Sequence, residues 1–234
     1  MIFVESKKKK LNNLKIKYPN AEIIDITSKG KEPNVKFSPF YPHGNIPVPF
    51  TENEFAMTVE GIWQGLKVFN DYDIDISKFY IKDMTNIKRT ERKYGKVIGH
   101  RMGVHGNKLL NYGTARKEIY LRTYAWVLDN LLTENVKELK EIALQKDLVL
   151  LDYATNLDID NLEKPLSHAG LVKRYIEKKY PKIKEITFST IDKTEITKQK
   201  KRKKKKEKPK NSRKRKRNKK KINENQEQLE LFNN

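Results

Sequence analysis

Residues 112–132 read YGTARKEIYLRTYAWVLDNLL. Wound as a helix, this stretch is apolar on much of its circumference, at Ala115, Ile119, Tyr124, Trp126, Val127, Leu128 and Leu131. A helix apolar on most sides is one surrounded by protein, so the segment is expected to be the central buried helix of a folded domain. Downstream, residues 134–145 form a second amphipathic helix with Val136, Leu139 and Ala143 on one face. Leu148 to Leu151 is a continuous apolar run ending at Asp152, the signature of a buried strand. A polar loop leads to Pro165, and residues 166–179 read as the last helix, closed by Pro181. Residues 183–191 read as a further strand.

Upstream of the central helix, Met1–Val4 and the β-branched run Glu22–Thr27 are strands. Between them a basic helix, capped by Ser6, runs through Tyr18 and stops at Pro19. Residues 37–50 (FSPFYPHGNIPVPF) carry prolines at 39, 42, 47 and 49, which forbid a helix. This stiff aromatic loop has two readings, a packed structural loop or the wall of a binding cleft. Residues 56–69 have helical period, with Val59, Ile62, Leu66 and Phe69 as the apolar stripe. Residues 79–81 read as a short strand and residues 95–106 (GKVIGHRMGVHG) as a basic, glycine-rich loop. More helix than strand, without repeats, predicts a compact α+β domain over residues 1–192.

The chain has 234 residues and a net charge of +21. That charge is uneven. Residues 198–221 hold 18 Lys and Arg against the single acid Glu207, a net +17, whereas residues 1–197 carry +7. With apolar residues almost gone, residues 193–234 are expected to form a disordered tail. Its lysines and arginines, among them Lys203, Lys204, Arg213, Arg215 and Arg217, suit a phosphate backbone, where counterion release supplies affinity without sequence preference. The plainer reading is a solubilising tail. Cysteine is absent, which excludes disulfides and a thiolate nucleophile. No apolar run is long enough to span a bilayer. The N-terminus places its lysines after its apolar residues, the reverse of a signal peptide. The expected location is cytoplasmic and nucleoid-associated, or nuclear in a cell with a nucleus, with no membrane partner.

The last residues include Gln228-Leu229-Glu230-Leu231-Phe232. This pentapeptide resembles the bacterial sliding-clamp-binding motif, in which two leucines and a phenylalanine fill an apolar pocket while the glutamine orients the backbone. The resemblance implies that Gln228, Leu229, Leu231 and Phe232 touch a clamp. A chance match is the alternative for so short a motif.

Several motifs for chemistry are missing. There is no phosphate-binding G-x-x-x-x-G-K-[ST] loop and no H-E-x-x-H. Asn156, Asp158 and Asp160 have calcium-loop spacing, but Asn161 stands where glycine is needed and Ser167 where glutamate is needed. No cofactor and no metal is expected. What remains is the face of the 56–69 helix opposite its apolar stripe, where Glu60, Gln64 and Lys67 lie within about 60° of one another, flanked by Trp63. A plain wet helix face is the bland reading.

Glu60-x-x-x-Gln64-x-x-Lys67, following Ser38-Pro39-Phe40, resembles the NADAR family of N-glycosidases, which cleave bonds between ribose and a base or amine. Lys93-Tyr94-Gly95 to Arg101, the helix around Trp126 and Asp152 to Asp158 agree more loosely. Pro165-Leu166-Ser167-His168-Ala169 also resembles an uncharacterised bacterial and phage family related to it. The similarity covers roughly residues 1–180. It departs where the family's Trp-Gly step gives way to Asp152-Tyr153-Ala154-Thr155-Asn156. The resemblance implies Glu60, Lys67 and Asp152 as catalytic residues acting on a ribosyl-phosphate or ADP-ribose-type molecule. Phe40, Tyr41, His43, Trp63, Gln64, Arg101, Asn156 and His168 would bind it. The chemistry is coherent by itself. Glycosidic cleavage at ribose passes through an oxocarbenium-like state and needs a carboxylate, a proton donor, cations for phosphate and an aromatic surface for a base. Two functions follow as expectations: an N-glycosidase tethered to nucleic acid, or a non-catalytic accessory protein of DNA and its sliding clamp. They part at the Glu60 face, which an enzyme gathers with Lys67, Arg101 and Asp152 in one cleft and a scaffold leaves open.

Overall fold

The computed structural model describes residues 1–182. Strand β1 (Ile2–Ser6), helix α1 (Leu11–Lys17) and strand β2 (Glu22–Asp25) open the chain as expected. Ser6 does not cap α1. It ends β1, its hydroxyl accepts from the Lys8 amide, and the helix begins only at Leu11 with no side-chain cap. The two strands do not touch each other. A strand from far down the chain, Leu148–Asp152, runs parallel between them, with Leu148 opposite both Ile2 and Glu22. All five of its residues are buried, which explains the unbroken apolar run. Its side chains alternate between two cores. Val149 and Leu151 meet Leu14, while Leu148 and Leu150 join Ile2 and Ile24 in the main core.

Residues 37–50 are a packed loop. Phe37, Ile46 and Val48 are buried, and Ile46–Pro47 (β3) pairs antiparallel with Phe55–Ala56 (β4). Hydrogen bonds tie the loop down: Tyr124 Oη donates to Phe37 O at 2.6 Å, the Glu60 amide to Pro39 O at 2.9 Å, and the Gly44 amide to Met57 O at 3.1 Å.

The helix expected over 56–69 is shorter. Helix α2 spans Val59–Gly65, capped by Thr58, whose hydroxyl accepts from the Gly61 amide at 2.7 Å. Lys67–Phe69 is strand β5 instead. Packing decided this. A Cβ on Gly65 would stand 2.3 Å from the Phe79 ring, and β5 finds ladder partners in β6 (Val97–Arg101). Val59, Ile62, Leu66 and Phe69 are nevertheless all buried. Residues 76–80 form a 3-10 turn rather than a strand, with Phe79 fully buried. The glycine-rich loop at 95–106 contains β6, which follows the short helix α3 (Glu91–Tyr94) and pairs with β7 (Leu109–Leu110). Gly99, at φ +154°, meets the Leu110 carbonyl, where a Cβ would come within 2.5 Å.

The central helix runs as α4 (Tyr112–Ala115), a π-helical stretch (Arg116–Leu121) and α5 (Arg122–Asn130). Helix α6 (Thr133–Gln145) leads into β8, the Leu148–Asp152 strand. Helix α7 (His168–Ile176) closes the described residues, capped by Ser167. The architecture is mixed α+β. The strand expected at 183–191 lies outside the described residues.

Candidate functional site

Strands β2 and β8 are parallel, so both end at the same edge of their sheet. A cleft of about 520 Å³ opens there. Strand ends of open sheets are habitual ligand sites, because the loops that follow the strands converge on one crevice. Thr27 and Ser28, after β2, form one side, and Asp152 to Asn156, from the end of β8, form the next. Ser38-Pro39-Phe40, Glu60 and Trp63 close the far wall.

Glu60 sits in the first turn of α2, 8% exposed. Gln64, one turn on, donates from Nε2 to Glu60 Oε1 at 2.7 Å. The amide of Gln64 cannot be turned round, since its Oε1 accepts from Lys67 Nζ at 2.7 Å and from the Arg89 amide at 2.9 Å. Lys67, Gln64 and Glu60 are therefore a relay that fixes one carboxylate oxygen. Oε2 has no hydrogen-bond partner among the described residues and is left for the cleft. Burial pushes the Glu60 carboxyl above its ordinary range, with Gln64, Lys67 and Lys88 pulling the other way. Lys67 is held down to about 8, again chiefly by burial.

Asp152 is buried in a different way. Its Oδ2 accepts from Ser167 Oγ at 2.7 Å, lies 3.0 Å from His168 Nδ1, and accepts from the Ala169 amide at 3.3 Å. The other nitrogen of His168, Nε2, faces the Ile26 carbonyl at 2.9 Å. With an acceptor before each nitrogen, the imidazole is set to carry both protons. Burial alone would raise the Asp152 carboxyl. The charge and hydrogen bond of His168, with Ser167 and the Ala169 amide, outweigh it and hold the group low. Burial would lower His168, and Asp152 outweighs it and raises the imidazole. One cleft thus holds two carboxylates whose surroundings drive their pKa values apart.

Aromatic rings line much of the rest. Trp63 stacks on His100 at 3.8 Å, and the rings of Tyr112 and Tyr120 meet it edge-on at 5.7 and 5.8 Å. His100 is wholly buried, and burial holds its imidazole well below the ordinary range, so it acts as a neutral backing for the indole. Arg116 anchors the loop after β8, donating to the carbonyls of Ile159, Asn161 and Lys164 and to Tyr112 Oη, at 2.7–3.1 Å. Lys88 and Lys164 stand exposed at the rim, and neither has a carboxylate partner among the described residues.

Of the residues singled out in the sequence, Glu60, Asp152, Phe40, Trp63, Asn156 and His168 line the cleft. Gln64 and Lys67 stand behind Glu60. Arg101 is elsewhere, paired with Asp73. Tyr41 donates to Glu32 Oε1 at 3.0 Å, and His43 bonds the Lys36 carbonyl at 2.9 Å, so neither ring faces the cleft. The cations at the cleft are Lys88, Lys164 and the buried Arg116 rather than Lys67 and Arg101. Tyr112, Arg116 and Tyr120 were not among the residues expected from the sequence, because a helical period of 3.6 does not keep two successive steps of four on one face. Among the described residues no cluster of His, Asp and Glu could hold a metal ion. Lys203, Lys204, Arg213, Arg215, Arg217, Gln228, Leu229, Leu231 and Phe232 lie outside the described residues.

Residues 6–172 match the model of a family of unknown function, DUF6939. The chain belongs to that family. No curated protein and no solved structure matches it. The DUF6939 match takes in β8, the loop after it and the first turn of α7, so it covers every cleft-lining residue. No helix among the described residues is long and apolar enough to cross a membrane.

Proposed function

We propose that this protein is an N-glycosidase acting on ribosyl-nucleotide or ADP-ribose-type substrates, held near nucleic acid by its basic C-terminal residues. The observation that carries the reading is the pair of carboxylates opening on one aromatic-walled cleft. Burial raises the Glu60 carboxyl above its ordinary range, while His168 holds Asp152 below its own. Such a separation of pKa values marks an acid and an anion with distinct tasks. As the C1′–N bond breaks, its electron pair leaves with the base nitrogen, and Glu60 supplies the proton that nitrogen takes up. Asp152 faces the oxocarbenium-like sugar. Water adds at C1′ and returns a proton to Glu60. The base stacks on the aromatic wall, and Lys88 and Lys164 meet the phosphates. The likeness of Glu60, Gln64 and Lys67 to the NADAR pattern points the same way, with Lys67 acting through Gln64.

A second reading has one observation in its favour. Asp152 Oδ2 already accepts three donors and its charge is balanced by His168, as in a structural ion pair. A nucleotide-binding accessory protein without turnover would be built this way. The two are separated by offering ADP-ribosylated guanine DNA, ADP-ribose conjugates and phosphoribosyl amines to wild type and to Glu60→Gln. Release of ribosyl product by wild type, and its loss in a normally folded Glu60→Gln, supports the enzyme. Equal rates, or binding without product, remove it.

A further inference from the structure

Tyrosines in this fold generally spend their hydroxyls. Tyr124 donates to Phe37 O at 2.6 Å, Tyr180 to Leu121 O at 2.9 Å, and Tyr112 Oη accepts from Arg116. Tyr120 differs. It lines the cleft, its ring is half-buried against Trp63, and its hydroxyl has no hydrogen-bond partner among the described residues. Nor is that oxygen sealed away from solvent. A polar atom placed at the wall of a cleft, unpaired yet accessible, is spent on water until a ligand takes it.

The backbone makes an exception to put it there. In an α-helix each step of four residues overshoots a full turn by about 40°, so Tyr112, Arg116 and Tyr120 would drift off a common face. The stretch Arg116–Leu121 is π-helical. Its wider turn holds more residues, so the second step of four falls back instead of drifting on. Tyr112, Arg116 and Tyr120 consequently form one row along the cleft. Trp63, three residues beyond Glu60 on the same helix, meets the Tyr120 ring edge-on, and Tyr120 and Glu60 line the same cleft. Burial first, and then the charges of Glu60 and Asp152, hold the phenol well above its ordinary range. It is a proton-bearing donor at any working pH.

We propose that Tyr120 Oη donates a hydrogen bond to a hydroxyl of a bound ribose and makes the cleft discriminate ribosyl from deoxyribosyl ligands. The phenol lines the same cleft as the aromatic rings that suit a base and the lysines that suit a phosphate, so a nucleotide held by both brings its sugar into that cleft. The inference takes its ligand class from the glycosidase reading but does not require turnover.

The test is a calorimetric titration of the full chain with AMP and with its 2′-deoxy and 3′-deoxy analogues, for wild type and Tyr120→Phe. Removing the phenol oxygen should weaken AMP binding about threefold to tenfold, the worth of one net hydrogen bond. One deoxy analogue should bind wild type more weakly by the same factor and bind both proteins equally, because either deletion removes the same contact. Circular dichroism and thermal melting of Tyr120→Phe should match wild type. Equal AMP affinity for the two proteins overturns the inference. So do losses from Tyr120→Phe and from both deoxy analogues that simply add, or the absence of AMP binding to wild type up to millimolar concentrations. Base release is followed separately. A coupled loss of binding, with no ribosyl product from the ADP-ribosyl and phosphoribosyl substrates, keeps Tyr120 as a ribose donor and removes the glycosidase.

Discussion

Asp152→Ala tests the electrostatic arrangement on which the cleft depends. The substitution leaves His168 facing the Ile26 carbonyl with its other nitrogen unpaired, frees the Ser167 hydroxyl, and strips the Ala169 amide at the start of α7. Breaking a buried pair by removing one partner typically costs about 3–5 kcal/mol. For a domain of this size each kcal/mol is worth roughly 2–4 °C, so the melting temperature should fall by about 6–20 °C. Asp152→Asn is milder and reports the sign of the linkage. In wild type, Asp152 is held low, so its contribution is present above the ordinary carboxylate pKa and is lost as pH falls through the lowered value. His168 is held high, so its contribution is full below the ordinary imidazole value and is lost as pH rises through the raised one. The pair should stabilise most between about pH 4 and 6.5, with stability declining above that window. In Asp152→Asn the buried imidazole has no carboxylate and favours its neutral form. Stability should then rise with pH through the histidine range. Urea denaturation of both proteins from pH 5 to 8.5 measures the two slopes. Identical slopes, or an Asp152→Ala loss below about 1 kcal/mol, refute the buried ion pair.

Other expectations follow from particular contacts. Tyr124→Phe leaves the buried Phe37 carbonyl without its donor and should cost about 1–3 kcal/mol by urea denaturation, loosening the loop that carries Phe40. Because the Glu60 carboxyl is raised, the rate of base release should fall as pH rises through a value above the usual glutamate range. Glu60→Gln should abolish that limb along with most of the rate. Deleting residues 198–221 should remove most of the salt dependence of DNA binding, which for ten engaged charges is a slope of about −7 to −9; an unchanged slope in an anisotropy titration would place the contacts elsewhere. A peptide of residues 222–234 should bind a bacterial sliding clamp through Leu229, Leu231 and Phe232, and equal binding by the Leu231→Ala and Phe232→Ala peptides would exclude the motif.

Hydrophobic pattern is a local property, and it was legible without a structure. The run Leu148–Leu151 announced a strand covered on both faces, the residues around Trp126 announced a helix inside the domain, and Val59, Ile62, Leu66 and Phe69 were right as a buried set even though the last three residues of the helix proposed for them are a strand. Charge density marked residues 198–221 as a separate polycation in the same local way. Glu60 and Asp152 could be named as carboxylates, but not what surrounds them. That Glu60 is buried, and that Gln64 is turned toward it by Lys67 and Arg89, follows from contacts made only in the fold. That Asp152 is ionised follows from His168, whose second nitrogen answers to Ile26, 142 residues away along the chain. Arg101 shows the same limit, since only folding could hand it to Asp73. The π turn that aligns Tyr112, Arg116 and Tyr120 is likewise invisible to a period of 3.6. Side-chain period is set by neighbours on the chain, whereas dielectric, hydrogen-bond partner and proton affinity are set by neighbours in space, and these the tertiary structure alone decides.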